Sequence, residues 1–189
     1  LHRIARIVRS LKEFSHPNAP DLTPVDLNRA IETAITVSHH EWKYVAKVVT
    51  EFTADLPPVP CILDEFNQVL LNLIVNAAQA IDEKSKSAGE LQGLITIRTR
   101  LTEAFAVVEV EDNGPGIPQE HRARVFEPFF TTKLAGHGTG QGLAIVQNVI
   151  VVRHGGRVDF ATKLGSGTVF NLYLPLTARK APAPADPHP

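Results

Sequence analysis

The sequence predicts an α+β fold: a two-layer sandwich in which helices cover one face of a mixed, mostly antiparallel sheet. Three observations carry this. Residues 64–86 form one long, strongly apolar helical run. The β-branched-rich stretches 94–101 and 105–111 are joined by a short polar connection, as in an antiparallel pair. A second pair of strands, 157–162 and 168–174, closes the folded part after a helix at 143–153 that ends at Gly155-Gly156.

In chain order, Leu1, Ile4, Val8 and Leu11 follow a three-four spacing that Ile7 and Phe14 widen, with Arg3, Arg6, Arg9 and Lys12 on other faces. This predicts a bundle or coiled-coil helix over residues 1–16. The stripe wants a partner from upstream sequence or a second chain; an amphipathic helix packed on its own domain is the alternative. His16-Pro17 stops it, and residues 17–24 read as a linker. A domain over 25–176 opens with a helix at 26–38 and a strand at 44–52 that the prolines of DLPPVP terminate. A short helical piece is expected at 119–125, and the proline-rich tail 177–189 is expected to be disordered.

Composition narrows the partners. Nineteen Lys and Arg against 20 Asp and Glu give no global field for nucleic acid. The single cysteine, Cys61, excludes an intrachain disulfide framework and reads as a small buried apolar residue. No apolar run approaches a membrane span of about 20 residues. The chain starts mid-pattern and lacks methionine, as a piece of a longer protein would.

Three constellations bear chemistry. On the long helix, at about 100° per residue, Glu65, Gln68, Asn72, Asn76, Gln79 and Glu83 fall in one polar strip along an otherwise apolar cylinder. Neutral amides at its centre suit a site that offers oxygen to a hard cation and N–H groups to phosphate; a solvent-facing strip is the plain alternative. VEVEDNGPGIP delivers Asp112 from a strand into a turn with Gly114 and Gly116, where backbone can approach a ligand and a carboxylate can accept from an exocyclic amine. GHGTGQGLAIVQNVI sets Gly136, Gly138, Gly140 and Gly142 on alternate positions before a helix, an arrangement suited to anions and also to a hinge. Neither G-x-x-x-x-G-K-[ST] nor G-x-G-x-x-G after a strand is present, so Walker-type and Rossmann sites are excluded. FEPFFTTK precedes the glycines, with three aromatics to anchor a loop and two hydroxyls and Lys133 to reach a phosphate.

In this order the segments resemble the ATP-binding domain of sensor histidine kinases, within the larger group that includes gyrase, the Hsp90 chaperones and mismatch-repair ATPases. NLIVNAAQA looks like the N box, DNGPGIP the G1 box, FEPFFTTK the F box, GTGQGLAI the G2 box and GSGTVF the terminal G3-like element. The resemblance implies a Bergerat-type ATP-binding fold over residues 25–176, with residues 1–16 as the end of a dimerisation helix. It implies ATP and Mg2+ as cofactors, with Asn76 as metal ligand and Asn72 supporting it. Asp112 would bind the adenine amine, Gly114 and Gly116 would belong to the base site, and Ile117 and Leu143 would wall it. Lys133 would contact phosphate from a lid shaped by Gly138, Gly140 and Gly142, and Thr168 would sit near adenine. Gln79 stands where many such kinases carry a basic residue, which leaves more of the phosphate contact to Lys133.

Gyrase-like relatives place a glutamate four residues before the metal-binding asparagine to activate water; here that position is Asn72. The implied reaction is therefore transfer of the γ-phosphate to a histidine rather than to water. A regulatory nucleotide-binding module and an ATP-hydrolysing relative are the alternatives. The implied partners are a dimerisation and phosphoacceptor domain, in cis or trans, and a response regulator receiver domain, with a homodimer for the full-length protein. A cytoplasmic location for this domain is implied, with a membrane-anchored parent allowed. SHHEWKYVA offers a His40-Glu41 pair, but it lacks the proline of the acceptor box and sits within the nucleotide domain. A zinc protease motif would need histidine at Tyr44.

Overall fold

A computed structural model describes residues 22–88, 92–132 and 139–177. The helix expected over 1–16, most of the linker and the tail from 178 lie outside the described residues, as do Lys133, Gly136, His137 and Gly138. The chain runs β1 (Thr23–Val25), α1 (Leu27–Val37), α2 (His39–Trp42), β2 (Ala46–Glu51), β3 (Val59–Cys61), α3 (Leu63–Ala88), β4 (Gly93–Leu101) and β5 (Phe105–Asp112). A 3-10 turn at Gln119–His121 follows, then α4 (Gly142–Gln147), which continues as π-helical Asn148–Arg153, and finally β6 (Arg157–Lys163) and β7 (Gly167–Pro175).

Five strands form one sheet in the order β2-β4-β5-β7-β6, antiparallel throughout except for the parallel β2–β4 pair. A parallel pair needs a crossover, and β3 with α3 supplies it. α3 lies on the inner face with Phe66, Val69, Leu70, Leu73, Ile74 and Ile81 at most 2% exposed. Ile95, Ile97, Val108, Leu172 and Leu174 meet it from the sheet in the same core. Each such side chain contributes about 1.5–3 kcal/mol by leaving water, so this face fixes the register of α3 against the strands. The opposite face carries Arg98 paired with Glu51 and Glu111, Arg100 paired with Glu109, and Arg157 over the Tyr173 ring. Helices on one face and charge on the other give the two-layer α+β sandwich that the sequence predicts.

Local chemistry explains the boundaries. Asp26 caps α1, its Oδ1 accepting the Arg29 N–H at 3.1 Å, and Leu27, Ala30, Ile31 and Ala34 form the buried stripe. Ser38 ends α1 as its hydroxyl donates to the Ala34 carbonyl at 2.7 Å, and the one-turn α2 follows, tied back by the Trp42 indole N–H to Ile35 O.

Three features depart from expectation. β1 and β3 form a separate antiparallel ladder in which Pro24 faces Pro60. Proline ends strands in most contexts, and these three-residue strands tolerate it because each has only one paired edge in this two-stranded ladder. The segment at 119–125 is a single 3-10 turn followed by further turns, not a longer helix. The helix at 143–153 changes from α to π geometry after Gln147. Among the described residues no helix is long and apolar enough to cross a membrane.

Candidate functional site

The amide seam of α3 opens onto a cavity of about 720 Å3, within the range of small-molecule sites. Gln68, Asn72, Asn76, Gln79 and Glu83 all line it. Glu65, at the N-terminal end of the same strip, is taken by Arg153, with Nη2 to Oε1 at 2.6 Å. Gly142, at the start of α4, approaches the two asparagines closely: a β-carbon there would lie 3.4 Å from Asn76 Nδ2 and 3.7 Å from Asn72 Oδ1. Asn72 Nδ2 is buried and has no hydrogen-bond partner among the described residues. A buried orphan donor costs about 1–3 kcal/mol, so this end of the cavity wants an acceptor such as a phosphate oxygen. Asn76 brings an amide oxygen of the hard type that suits Mg2+, and the donor set fits a metal–phosphate group.

At the other end Asp112 closes β5, 8% exposed. Its Oδ1 accepts the Gly114 N–H at 2.8 Å. Burial pushes its carboxyl up to about 6; the N–H groups of Gly114 and Thr168 pull it back, Glu111 adds to the rise and Lys84 opposes it. Gly114 thus stands behind the carboxylate rather than on the cavity wall, and a β-carbon there would lie 2.7 Å from Asp112 Oδ1. Gly116 has φ +77° and would drive a β-carbon to 2.5 Å from the Lys163 carbonyl, so only glycine fits against the β6–β7 turn. Gly116, Ile117, Leu143 and Thr168 line the cavity as the sequence predicts.

The hydroxyl of Thr162 wires these pieces together. It accepts the Ile117 N–H at 2.8 Å, donates to the Gly167 carbonyl at 3.1 Å and lies 3.0 Å from Thr168 Oγ1. With its own proton on Gly167, Thr162 receives the proton of Thr168. Thr168 therefore offers its lone pairs to the cavity beside Asp112. No sequence pattern singled out Thr162, because its partners lie 5, 6 and 45 residues away, two at the start of β7 and one in the loop after β5.

The loop between β5 and α4 completes the wall. Val125, Phe130, Thr131, Thr132 and Gly140 line the cavity. Of the three aromatics expected to anchor this loop, Phe126 packs edge-on against Phe160 and Phe170, and Phe130 lies under Arg124 and beside His121. Phe129 does not anchor through its ring: it is 72% exposed, with φ +66°. Lys133 and Gly138, expected at the phosphate end, lie outside the described residues. The His40-Glu41 pair sits on the one-turn α2, where His39 packs edge-on against Trp42.

Comparison with known proteins gives a concordant result. Residues 62–178 match the family described as histidine kinase-, DNA gyrase B-, and HSP90-like ATPase. The sensor histidine kinase ZraS of Escherichia coli (strain K12) is 36% identical over 183 residues, covering 95% of this chain and 37% of ZraS. The chain thus spans a little over a third of the length of that relative. Among solved structures, the histidine kinase ThkA in complex with the response regulator protein TrrA aligns with a TM-score of 0.70 and 27% identity, over 93% of this chain and 48% of that one. Full-length ShkA in complex with AMPPNP aligns with a TM-score of 0.68 and 25% identity, over 85% of this chain and 32% of that one.

Proposed function

Because the chain belongs to the family of histidine kinase-, DNA gyrase B- and HSP90-like ATPases, we propose that it is the ATP-binding catalytic domain of a two-component sensor histidine kinase, passing the γ-phosphoryl group of ATP to a histidine for relay to a response regulator. The observation that carries this reading is the pairing of Asn72 and Asn76 under Gly142, with a buried amide donor left for a ligand. Asp112 and Thr168 accept from the adenine edge, while Ile117 and Leu143 enclose its faces. Asn72 donates to phosphate oxygen, and Asn76 ligates Mg2+. A Mg2+ held there would supply neutralisation of phosphate charge. Lys133 and Gly138 are assigned to phosphate contact on the sequence pattern alone, and Gly140 and Gly142 line the cavity, with Gly142 beside the two asparagines.

An amide at position 72 cannot take a proton from water, which favours transfer over hydrolysis. The acceptor is a histidine on a dimerisation helix, in cis or trans, in a homodimeric parent, and not His40. The ThkA–TrrA complex and the AMPPNP-bound ShkA structure support the relay and the nucleotide respectively. The domain works on the cytoplasmic side, where ATP is available.

The test is to incubate the 189-residue chain with Mg-ATP labelled at the γ-phosphate, with and without a helical hairpin carrying a kinase acceptor histidine. Expected are tight nucleotide binding, little phosphate release and no self-labelling, with label appearing on the added helix. Self-labelling abolished by His40→Ala would overturn the assignment of the acceptor. Sustained phosphate release would favour the hydrolysing alternative, and binding with no transfer to any acceptor would favour a regulatory module.

A further inference from the structure

Lys84 lies two turns beyond Asn76 on α3, toward the Asp112 end of the cavity. Its Nζ donates to the Asn113 carbonyl at 2.6 Å and to the Gly165 carbonyl at 3.0 Å. These carbonyls belong to different segments. Asn113 follows Asp112 directly, and its remaining groups are fixed as well: its N–H donates to Leu94 O, its Oδ1 accepts the Leu94 N–H at 2.8 Å and its Nδ2 donates to Gln92 O at 3.0 Å. Gly165 forms the β6–β7 turn, and its N–H donates to the Pro115 carbonyl at 2.8 Å. The turn leads within three residues to Thr168.

We propose that Lys84 is a positioning residue for purine recognition: the β5–β7 ladder sets Asp112 opposite Thr168, and one ammonium ties the loop after Asp112 to the turn before Thr168, so that the end of the ladder does not fray and both side chains stay turned toward one base. The inference rests on the nucleotide reading above and names a determinant of its base selectivity. A surface lysine with a merely solubilising role would extend into water; this one bridges two carbonyls 52 residues apart in sequence. Its charge has a second effect. Asp112 is faced by Glu111 on its own strand, which disfavours ionisation, by Lys84 from α3, which favours it, and by the backbone N–H groups of Gly114 and Thr168. Lys84 thus helps hold the acceptor in place and favours its ionised form against the larger effect of burial.

The experiment is titration calorimetry of the 189-residue chain with ADP and with GDP, across the pH range around 6 in which Asp112 titrates. Wild type is compared with Lys84→Met, Lys84→Gln and Lys84→Arg. Charge-assisted hydrogen bonds of this kind lead us to expect about fivefold to tenfold weaker ADP binding for Lys84→Met. The preference for ADP over GDP should fall, and the midpoint of the pH dependence should move upward. Lys84→Arg should bring the midpoint back. Should the Met variant fail to fold, the Gln variant removes the same charge and is read in the same way. A Lys84 variant that lowers the melting temperature but keeps base preference and midpoint would overturn the inference, as would one indistinguishable from wild type. A wild-type chain that binds neither nucleotide would overturn the nucleotide reading itself, and this inference with it.

Discussion

A β-carbon placed on Gly140 would stand 2.4 Å from the carbonyl carbon of Phe129, and both residues occupy the left-handed region, at φ +64° and +66°. The described chain after residue 138 thus returns against the described chain before residue 133, at the cavity wall that Phe130 and Gly140 line. Gly140→Ala meets that backbone directly and adds about 1–2 kcal/mol for a left-handed alanine. We expect weaker ADP binding and a melting temperature lower by several degrees. Equal affinity and equal melting would mean that the rim closes without this contact.

Asp112 predicts opposite pH trends for stability and binding. Its carboxyl is lifted from 3.8 to about 6, first by burial. Between these values the folded chain holds a proton that the unfolded chain has released. Its contribution to stability is therefore present at low pH and is lost as pH rises from about 4 to about 6, by roughly 3 kcal/mol. ADP affinity should rise through the same window, since the ionised carboxylate accepts from the adenine amine. Asp112→Asn should recover some of the lost stability at neutral pH yet weaken ADP binding, because its amide can turn a donor toward a donor. Thermal melting and calorimetry check the two halves separately: a less stable variant would count against burial as the cause, and full ADP affinity would remove the base contact.

The two asparagines should separate by readout. Asn76→Asp replaces a neutral amide with a carboxylate facing phosphate, and we expect Mg-ATP affinity to fall about tenfold or more, a difference of some 1.4 kcal/mol. Asn72→Ala deletes a buried donor that has no partner among the described residues, so the melting temperature should barely move while nucleotide affinity falls. Strong destabilisation of Asn72→Ala with unchanged affinity would turn that amide into a packing residue.

The features that sequence reasoning recovered are those written in local period. Amides every fourth residue on an apolar helix mark a seam before any partner is known, and two β-branched runs joined by Thr102, Glu103 and Ala104 can hardly pair except as neighbours. What escaped depends on distant chain. Helical geometry puts Glu65 in the seam, but Arg153, 88 residues on, takes it out of the cavity. The β1–β3 ladder hides behind Pro24 and Pro60, and the parallel β2–β4 register, with Val48 opposite Ile95, has no local signature. Gly114 was legible as a turn glycine but not as the donor behind Asp112.

His154 yields the last prediction. It is 3% exposed, and its Nδ1–H donates to the Val149 carbonyl at 2.8 Å, which leaves Nε2 to accept the Ile62 N–H at 2.9 Å. The ring so joins the π-helical turn to the start of α3. Cys61 Sγ lies 3.4 Å from the same Nε2, and burial, with Glu65 adding to it, pushes the thiol up to about 12. The thiolate, not the thiol, reacts with alkylating agents, so Cys61 should resist iodoacetamide in the folded chain and label fully in denaturant. His154→Ala strands the Ile62 N–H and opens a void, while the Val149 carbonyl keeps the backbone N–H of residue 154, at a cost of about 2–4 kcal/mol. Labelling of Cys61 under native conditions should then accelerate, because the clamp that covers it is gone. Fast labelling of the wild type would show that the β3–α3 junction opens readily with His154 in place, and the clamp would have to be abandoned.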